Sequence, residues 1–171
     1  MIAQAGAIAP LVTLVQSGTA GQKKYAAAAL GNLAYNDENR VLIAQAGAIA
    51  PLVTLVQSGT DRQKEEAAAA LRNLAVNDEN QVLIAQASAI APLVTLVQSG
   101  TDRQKEEAAA ALRNLAVNDE NQVLIAQASA IAPLVTLVQS GTDGQKEYAA
   151  AALRNLAFND ENKVLIAQAG G

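Results

Sequence analysis

Residues 47–87 read GAIAPLVTLVQSGTDRQKEEAAAALRNLAVNDENQVLIAQA, and this stretch decides the fold because it recurs along the chain. Residues 88–128 repeat it with a single change, residues 6–46 with seven changes and residues 129–169 with five. A repeat period of about 20–50 residues is typical of solenoids, in which each unit buries its apolar face against its neighbours. We therefore predict a single repeat domain. Its parts are a lead-in at 1–5, repeats at 6–46, 47–87, 88–128 and 129–169, and trailing glycines at 170–171.

Each copy contains three segments with helical patterning. In residues 48–57 the apolar side chains recur at helical spacing, and Pro51 falls in the first turn, where its missing N–H costs little. We expect Gly59 to end this helix in a left-handed conformation. No segment alternates apolar and polar residues over a strand's length, so an all-α fold is predicted.

Two further helices complete the copy. Thr60 and Gln63 have the spacing of a capping box, which predicts a long Ala-rich helix over residues 61–76. A shorter helix follows over residues 77–87. Acidic residues in its first turn are explained better by the helix dipole than by a divalent ion.

Composition excludes several functions. The 171 residues include no Cys, His or Trp, so ordinary zinc sites, thiolate chemistry and Ser-His or Cys-His nucleophile pairs are excluded. The net charge is −4 without a basic cluster, which disfavours nucleic acid. The paired acids have no accompanying nucleophile or phosphate loop. We predict a protein that is not an enzyme and uses no metal or cofactor.

Membrane association is also not expected. Residues 41–60, 82–101 and 123–142 are uncharged over 20 positions, the length of a spanning helix. Each stretch is interrupted near its middle by Pro with Gly or Ser, which predicts two short helices instead. Residues 1–6 lack the charged start and long apolar core of a signal peptide, so no targeting segment is expected and the compartment stays open.

The order of these elements resembles an armadillo repeat, in particular the Ala-rich variety of plant armadillo proteins. The likeness is carried by GAIAPLVTLVQSGT at 47–60, EAAAALRNLA at 66–75 and NDENQVLIAQA at 77–87, and it covers essentially all 171 residues. It implies an α-solenoid, a right-handed superhelix of three-helix repeats with a 41-residue period. Natural tandem repeats diverge further than these, so we favour an engineered consensus sequence over a very recent duplication.

The resemblance also implies a function and a site. Armadillo proteins are generally non-enzymatic, and their third helices line a concave groove that holds extended peptides. An Asn on each third helix bonds the peptide backbone, and the matching residues here are Asn32, Asn73, Asn114 and Asn155. The alternative is a purely structural role, in which each Asn bonds only within its own helix end. Peptide-binding members carry a Trp one turn earlier, where this chain has Ala28, Ala69, Ala110 and Ala151.

Positions that vary between copies lie on the same stripe of the third helix. On a wheel of 100° per residue, Arg62, Glu66, Asn73 and Val76 fall within an arc of about 80°. Arg62, Glu66, Arg103 and Glu107 are therefore candidate peptide contacts, and Arg62 can also pair with Glu66 four residues on. All four aromatics lie on the stripe in the two end copies and are candidate apolar anchors: Tyr25, Tyr35, Tyr148 and Phe158. They are equally well explained as remnants of a parent sequence.

The two end copies suggest an alternative function. Solenoids normally need terminal repeats with a polar outer face. Here the first copy keeps Leu11 and Leu14, and the last keeps Val164, Leu165 and Ile166. Exposed apolar ends favour contact between chains, so a self-associating building block is the second hypothesis. Head-to-tail stacking through the ends and a symmetric dimer through the aromatic patches are both open.

Overall fold

The computed structural model describes residues 6–169, and within that range the chain forms twelve α-helices and no strand. The all-α prediction is therefore confirmed. The helices are α1 Ile8–Ser17, α2 Ala20–Leu33, α3 Asp37–Gln45, α4 Ile49–Ser58, α5 Asp61–Leu74, α6 Asp78–Gln86, α7 Ile90–Ser99, α8 Asp102–Leu115, α9 Asp119–Gln127, α10 Ile131–Ser140, α11 Asp143–Leu156 and α12 Asp160–Ala169.

The second helices of the repeats, α1, α4, α7 and α10, supply the largest apolar side chains. In α4, Leu52, Leu55 and Val56 are buried against the neighbouring helices. The prediction for Gly59 was wrong, because its φ of −77° and ψ of 178° are extended rather than left-handed. Glycine is required there for space, since a Cβ would lie 2.6 Å from the carbonyl oxygen of Leu55.

The third helices, α2, α5, α8 and α11, pack side by side in chain order. Each begins with the predicted capping box. In α5 the Gln63 N–H donates to Thr60 Oγ1 at 3.2 Å and the Thr60 N–H donates to Gln63 Oε1 at 2.9 Å. Ala67, Ala68 and Ala70 are completely buried, and their small side chains let adjacent third helices approach closely.

The first helices, α3, α6, α9 and α12, each start at an asparagine cap. Asn77 Oδ1 accepts the Asn80 N–H at 3.0 Å at the start of α6, and Asp78 and Glu79 occupy the first turn. The negative charges there complement the positive end of the helix dipole. Within residues 6–169, no group of three or more acidic side chains is placed to hold a metal ion.

A sharp bend separates each first helix from the following second helix. The bend is 83° between α3 and α4, 84° between α6 and α7, and 85° between α9 and α10. Among the described residues no single helix is long and apolar enough to cross a membrane, although these three bent pairs reach the required length and composition together. The residue at the bend is left-handed, with φ of +80° at Gly47 and +65° at Ser88 and Ser129.

Replacing the serine at the bend by glycine should stabilise the protein. A left-handed residue with a Cβ costs about 1–2 kcal/mol, and the greater freedom of glycine in the unfolded chain offsets about 0.4–1 kcal/mol of the gain. We expect Ser88→Gly to raise the free energy of unfolding in urea by about 0.5–1 kcal/mol. Ser99→Gly, at the end of α7, is the control and should not stabilise; equal effects of the two changes would contradict the argument.

Candidate binding surface on the third helices

The exposed side of the third helices forms one surface that runs through all four repeats. We call it the third-helix surface and define it by the positions equivalent to Arg62, Glu66, Arg72, Asn73 and Val76. The last of these positions is apolar in every copy and exposed by 49% to 73%. Its residues are Tyr35, Val76, Val117 and Phe158.

The asparagines on this surface link one repeat to the previous one. Asn73 Nδ2 donates to the carbonyl oxygen of Gly31 at 2.9 Å. Asn114 and Asn155 donate in the same way to Arg72 and Arg113, both at 2.9 Å. The alternative, in which each asparagine bonds only within its own helix end, therefore does not hold for the side-chain N–H donors. Each amide joins two third helices.

Part of each amide remains available. A side-chain amide has two N–H donors and two acceptor lone pairs. In Asn73 one donor is used by Gly31, and Oδ1 accepts Arg72 Nε at 3.2 Å. Asn73 and Asn155 are largely buried, whereas Asn32, on the first third helix, is exposed. One donor and one lone pair per internal asparagine are not used by these two bonds.

Ion pairs across the repeats hold the charged side chains of the surface. Arg72 Nη1 lies 2.9 Å from Glu107 Oε2 and donates to Oε1 at 3.2 Å. Arg103 Nη1 donates to Glu66 Oε1 at 2.9 Å and lies 3.5 Å from Glu65. The helix spacing predicted that Glu66 pairs with Arg62, four positions before it. The structure instead pairs Glu66 with Arg103 of the next repeat.

The aromatic residues differ in their surroundings. Tyr25 is exposed, with Lys24 Nζ 4.4 Å from its ring centroid. Tyr35 is also exposed, and its hydroxyl accepts Arg72 Nη2 at 3.5 Å. Tyr148 is half-buried beneath the guanidinium of Arg113, 4.9 Å from the ring centroid. Phe158 is the most exposed of the four.

Sequence reasoning missed the arginine that precedes three of the four asparagines. Arg72, Arg113 and Arg154 each donate Nε to the adjacent Asn Oδ1, at 3.0–3.2 Å. Two of them also reach the next repeat, Arg72 to Glu107 and Arg113 to Tyr148. The recurring Arg-Asn pair was visible in the sequence, but the offset to the next repeat depends on how the helices pack.

Burial raises the pKa of Glu107 above the ordinary value of a glutamate. The nearby Arg72 and Arg103 lower it in part. The raised pKa means that the folded state binds a proton more tightly than the unfolded chain. Glu107 therefore contributes stability as the pH falls through its folded-state pKa, and this contribution is lost as the pH rises.

Taken together, the fold and this surface define an α-solenoid with a continuous face on its third helices. A model of the Armadillo/beta-catenin-like repeat family matches residues 1–35, 36–76, 77–117 and 118–158. The chain therefore belongs to the armadillo repeat family, as the sequence motifs indicated. Among curated proteins, none matches the sequence significantly.

Solved structures of designed proteins share this fold. The designed armadillo repeat protein YIII(Dq.V1)4CPAF, in complex with the peptide (KR)4, is 32% identical with a TM-score of 0.93, over 99% of this chain and 72% of that one. Computationally designed armadillo repeat proteins for modular peptide recognition are 34% identical with a TM-score of 0.91, over 98% and 72%. These similarities and the near-identical copies support an engineered armadillo repeat protein.

Removing an internal asparagine should destabilise the stack. Asn114→Ala leaves the carbonyl of Arg72 and the Nε of Arg113 without their partner, and an unsatisfied buried group costs about 1–3 kcal/mol. We expect a loss near the middle of that range in urea unfolding. Asn32→Ala, at an exposed site, is the matched control and should change stability by less than about 0.5 kcal/mol at a concentration where the chain is monomeric. Equal losses at the two sites would contradict the inter-repeat role.

The titration of Glu107 should depend on Arg72. Arg72→Ala removes a positive charge that favours the ionised carboxylate, so the pKa of Glu107 should rise further. The measurement is a carboxyl carbon-13 titration by NMR on the native chain and the variant. An unchanged pKa of Glu107 in the variant would show that the ion pair is not formed in solution.

Proposed function

We propose that the chain is a non-enzymatic scaffold that binds an extended peptide along the third-helix surface. The observation that carries the proposal is the exposed apolar row of one residue per repeat, at the position of Val76. Contiguous exposed apolar residues beside polar groups commonly mark interaction sites. Designed relatives of the same fold are peptide-recognition proteins, one of them in complex with (KR)4.

The spacing of the surface suits an extended chain. Two residues of an extended peptide advance about 6.5–7 Å. Packed helices lie about 8–10 Å apart, and curvature of a solenoid shortens this distance on its inner side. A register of two peptide residues per repeat follows, in which the free donor and acceptor of Asn32, Asn73, Asn114 and Asn155 contact the peptide backbone.

The charges of the surface favour a peptide that is not basic. The surface carries five arginines and two glutamates, and both glutamates are already paired with arginines of a neighbouring repeat. The arginines are Arg62, Arg72, Arg103, Arg113 and Arg154, and the glutamates are Glu66 and Glu107. A peptide that alternates apolar and acidic side chains would place its apolar residues on the row of Val76 and its carboxylates near the arginines. Tyr35 and Phe158 then act as apolar anchors at the two ends of the row.

The experiment compares two eight-residue probes, (LE)4 and (KR)4, by fluorescence anisotropy at low salt. We expect (LE)4 to bind at least about tenfold more tightly, a difference that corresponds to about 1.4 kcal/mol. Val117→Asp places a charge in the middle of the apolar row and should weaken (LE)4 binding by a similar factor.

The control is Val123→Asp, on α9. Val123 is exposed like Val117 but lies on a first helix, outside the third-helix surface. It should leave peptide binding unchanged. Tighter binding of (KR)4, or equal effects of the two Asp variants, would overturn the proposed peptide chemistry and its site.

Self-association is a second candidate function. The last repeat exposes 37% of Val138, whereas the equivalent Val56 and Val97 are each 2% exposed. The surface that buries those two residues is the next repeat along the solenoid. A second copy of the chain could supply that surface for Val138.

A further inference from the structure

We propose that copies of the chain stack head to tail in the register of the internal repeats. The outer side of α10 and α11 in one copy packs on the outer side of α1 and α2 in the next. This inference rests on self-association, the second function proposed above, and adds the surfaces and contacts that mediate it.

Each end exposes the apolar residues that the internal joints bury. At the C-terminal side Ala150 is exposed and Leu153 is half-buried, whereas the equivalent side chains of the second and third repeats are completely buried. At the N-terminal side Ala29, Leu11 and Leu33 are half-buried, and their equivalents are again completely buried. At the internal joints each set is therefore covered by the neighbouring repeat on its own side.

Leu165 is not part of this joint. It is 48% exposed, but the equivalent Leu83 and Leu124 inside the stack are each 43% exposed. The exposure of this position is therefore shared with α6 and α9 inside the stack and is not specific to the end. The apolar contact between copies therefore depends on α10 and α11 and not on the exposed side of α12.

The polar groups at the two ends complement each other. At the joint between the first two repeats, Gln63, Asn73 and Asn80 donate to the carbonyl oxygens of Ala20, Gly31 and Arg40, at 2.9–3.2 Å. The later joints repeat these bonds with the equivalent residues.

The same groups are present at the ends of the chain. Gln22, Asn32 and Asn39 are the matching donors on the first repeat, and the matching acceptors are the carbonyls of Asp143, Arg154 and Lys163 on the last. In the proposed register Asn32 of one copy donates to the Arg154 carbonyl of another, as Asn155 does to Arg113.

The positions that vary between copies point to the same register. At the joint of the third and fourth repeats, Arg113 lies over the ring of Tyr148. The equivalent pair between two copies is Arg154 over Tyr25, and Tyr25 is exposed. The joint between copies therefore has the cation–π pair of the last internal joint.

A second variable position matches as well. At the last internal joint the carboxylate of Glu106 lies against Gly144, where the preceding joint has Arg103 paired with Glu65. Between copies the equivalent residues are Gly21 and Glu147. The first repeat thus shares the glycine and tyrosine of the fourth on its N-terminal side, although it differs from the fourth on its C-terminal side, where it has Lys24 and Gly31.

A first helix also belongs to the joint. In each internal joint the first helix contacts the third helix that follows it, as α3 contacts α5. At the joint between copies α12 takes this place against α2 of the next copy.

Contact of this kind joins two different surfaces and does not close a dimer, so it can extend into longer species. The measurement is absolute mass by light scattering after size exclusion, over a hundredfold range of concentration. We expect the mass of the native chain to rise from 17.5 kDa through a concentration-dependent series.

Two matched variants block one end each. Ala150→Arg blocks the C-terminal side and Ala29→Arg the N-terminal side, and each should remain monomeric alone. Their mixture should form a 1:1 dimer, because each variant keeps the surface that the other has lost. Ala91→Arg, at an exposed site on α7 away from both ends, should associate like the native chain. Circular dichroism checks folding, and Asn32→Arg, at an exposed side chain, replaces Ala29→Arg if that variant is unfolded.

The register is tested at Tyr25. Tyr25→Ala should weaken association by about two- to fivefold through loss of the cation–π contact, and Tyr25→Phe should restore it. Tyr35→Ala is the control, because Tyr35 is similarly exposed but lies on the other side of the first repeat.

The outcomes separate the register from self-association itself. A monomer at every concentration would overturn both. Association that persists in Ala150→Arg or Ala29→Arg alone would overturn the head-to-tail register and leave self-association, for example as a symmetric dimer. Equal effects of Tyr25→Ala and Tyr35→Ala would overturn the proposed contact of Arg154 with Tyr25.

Discussion

The architecture depends on one hydrogen bond that recurs at every joint, from a third-helix asparagine to a carbonyl of the preceding third helix. The last four carbonyls of an α-helix have no partner within the helix. At the end of α2 the Tyr35 N–H donates to the carbonyl oxygen of Asn32 and not to that of Gly31. Asn73 supplies the donor that Gly31 lacks. The bond fixes the distance and register between repeats, because a side-chain amide reaches only a carbonyl directly beside it.

This bond also determines what the third-helix surface offers to a ligand. An asparagine that donates to the preceding repeat and accepts from Arg72 retains half of its hydrogen-bonding capacity. The carboxylates of Glu66 and Glu107 are likewise paired across the joints. Much of the polar chemistry on the surface therefore stabilises the stack, and the proposal of a peptide site rests mainly on the exposed apolar row.

Local structure followed from the sequence because each local signal had a local cause. The capping box of Thr60 and Gln63, the short helix that follows Asn77 and the break before Pro51 all formed where the sequence predicted them. The prediction of a left-handed Gly59 was wrong because glycine is also required where a Cβ has no room. Here the room is limited by the carbonyl oxygen of Leu55 in the preceding helix.

Contacts between repeats were harder to predict, for a physical reason. An i, i+4 rule joins Arg62 to Glu66, but the partner of Glu66 is Arg103, 37 residues later. Which side chains meet across a joint depends on the rotation and offset of packed helices, and a helical wheel contains neither. Once one joint is known, however, the period of 41 residues transfers its contacts to all the others. The same transfer can be applied to the substitutions in the end copies. Gly21 and Tyr25 are equivalent to Gly144 and Tyr148, on the side of a repeat that contacts the preceding repeat.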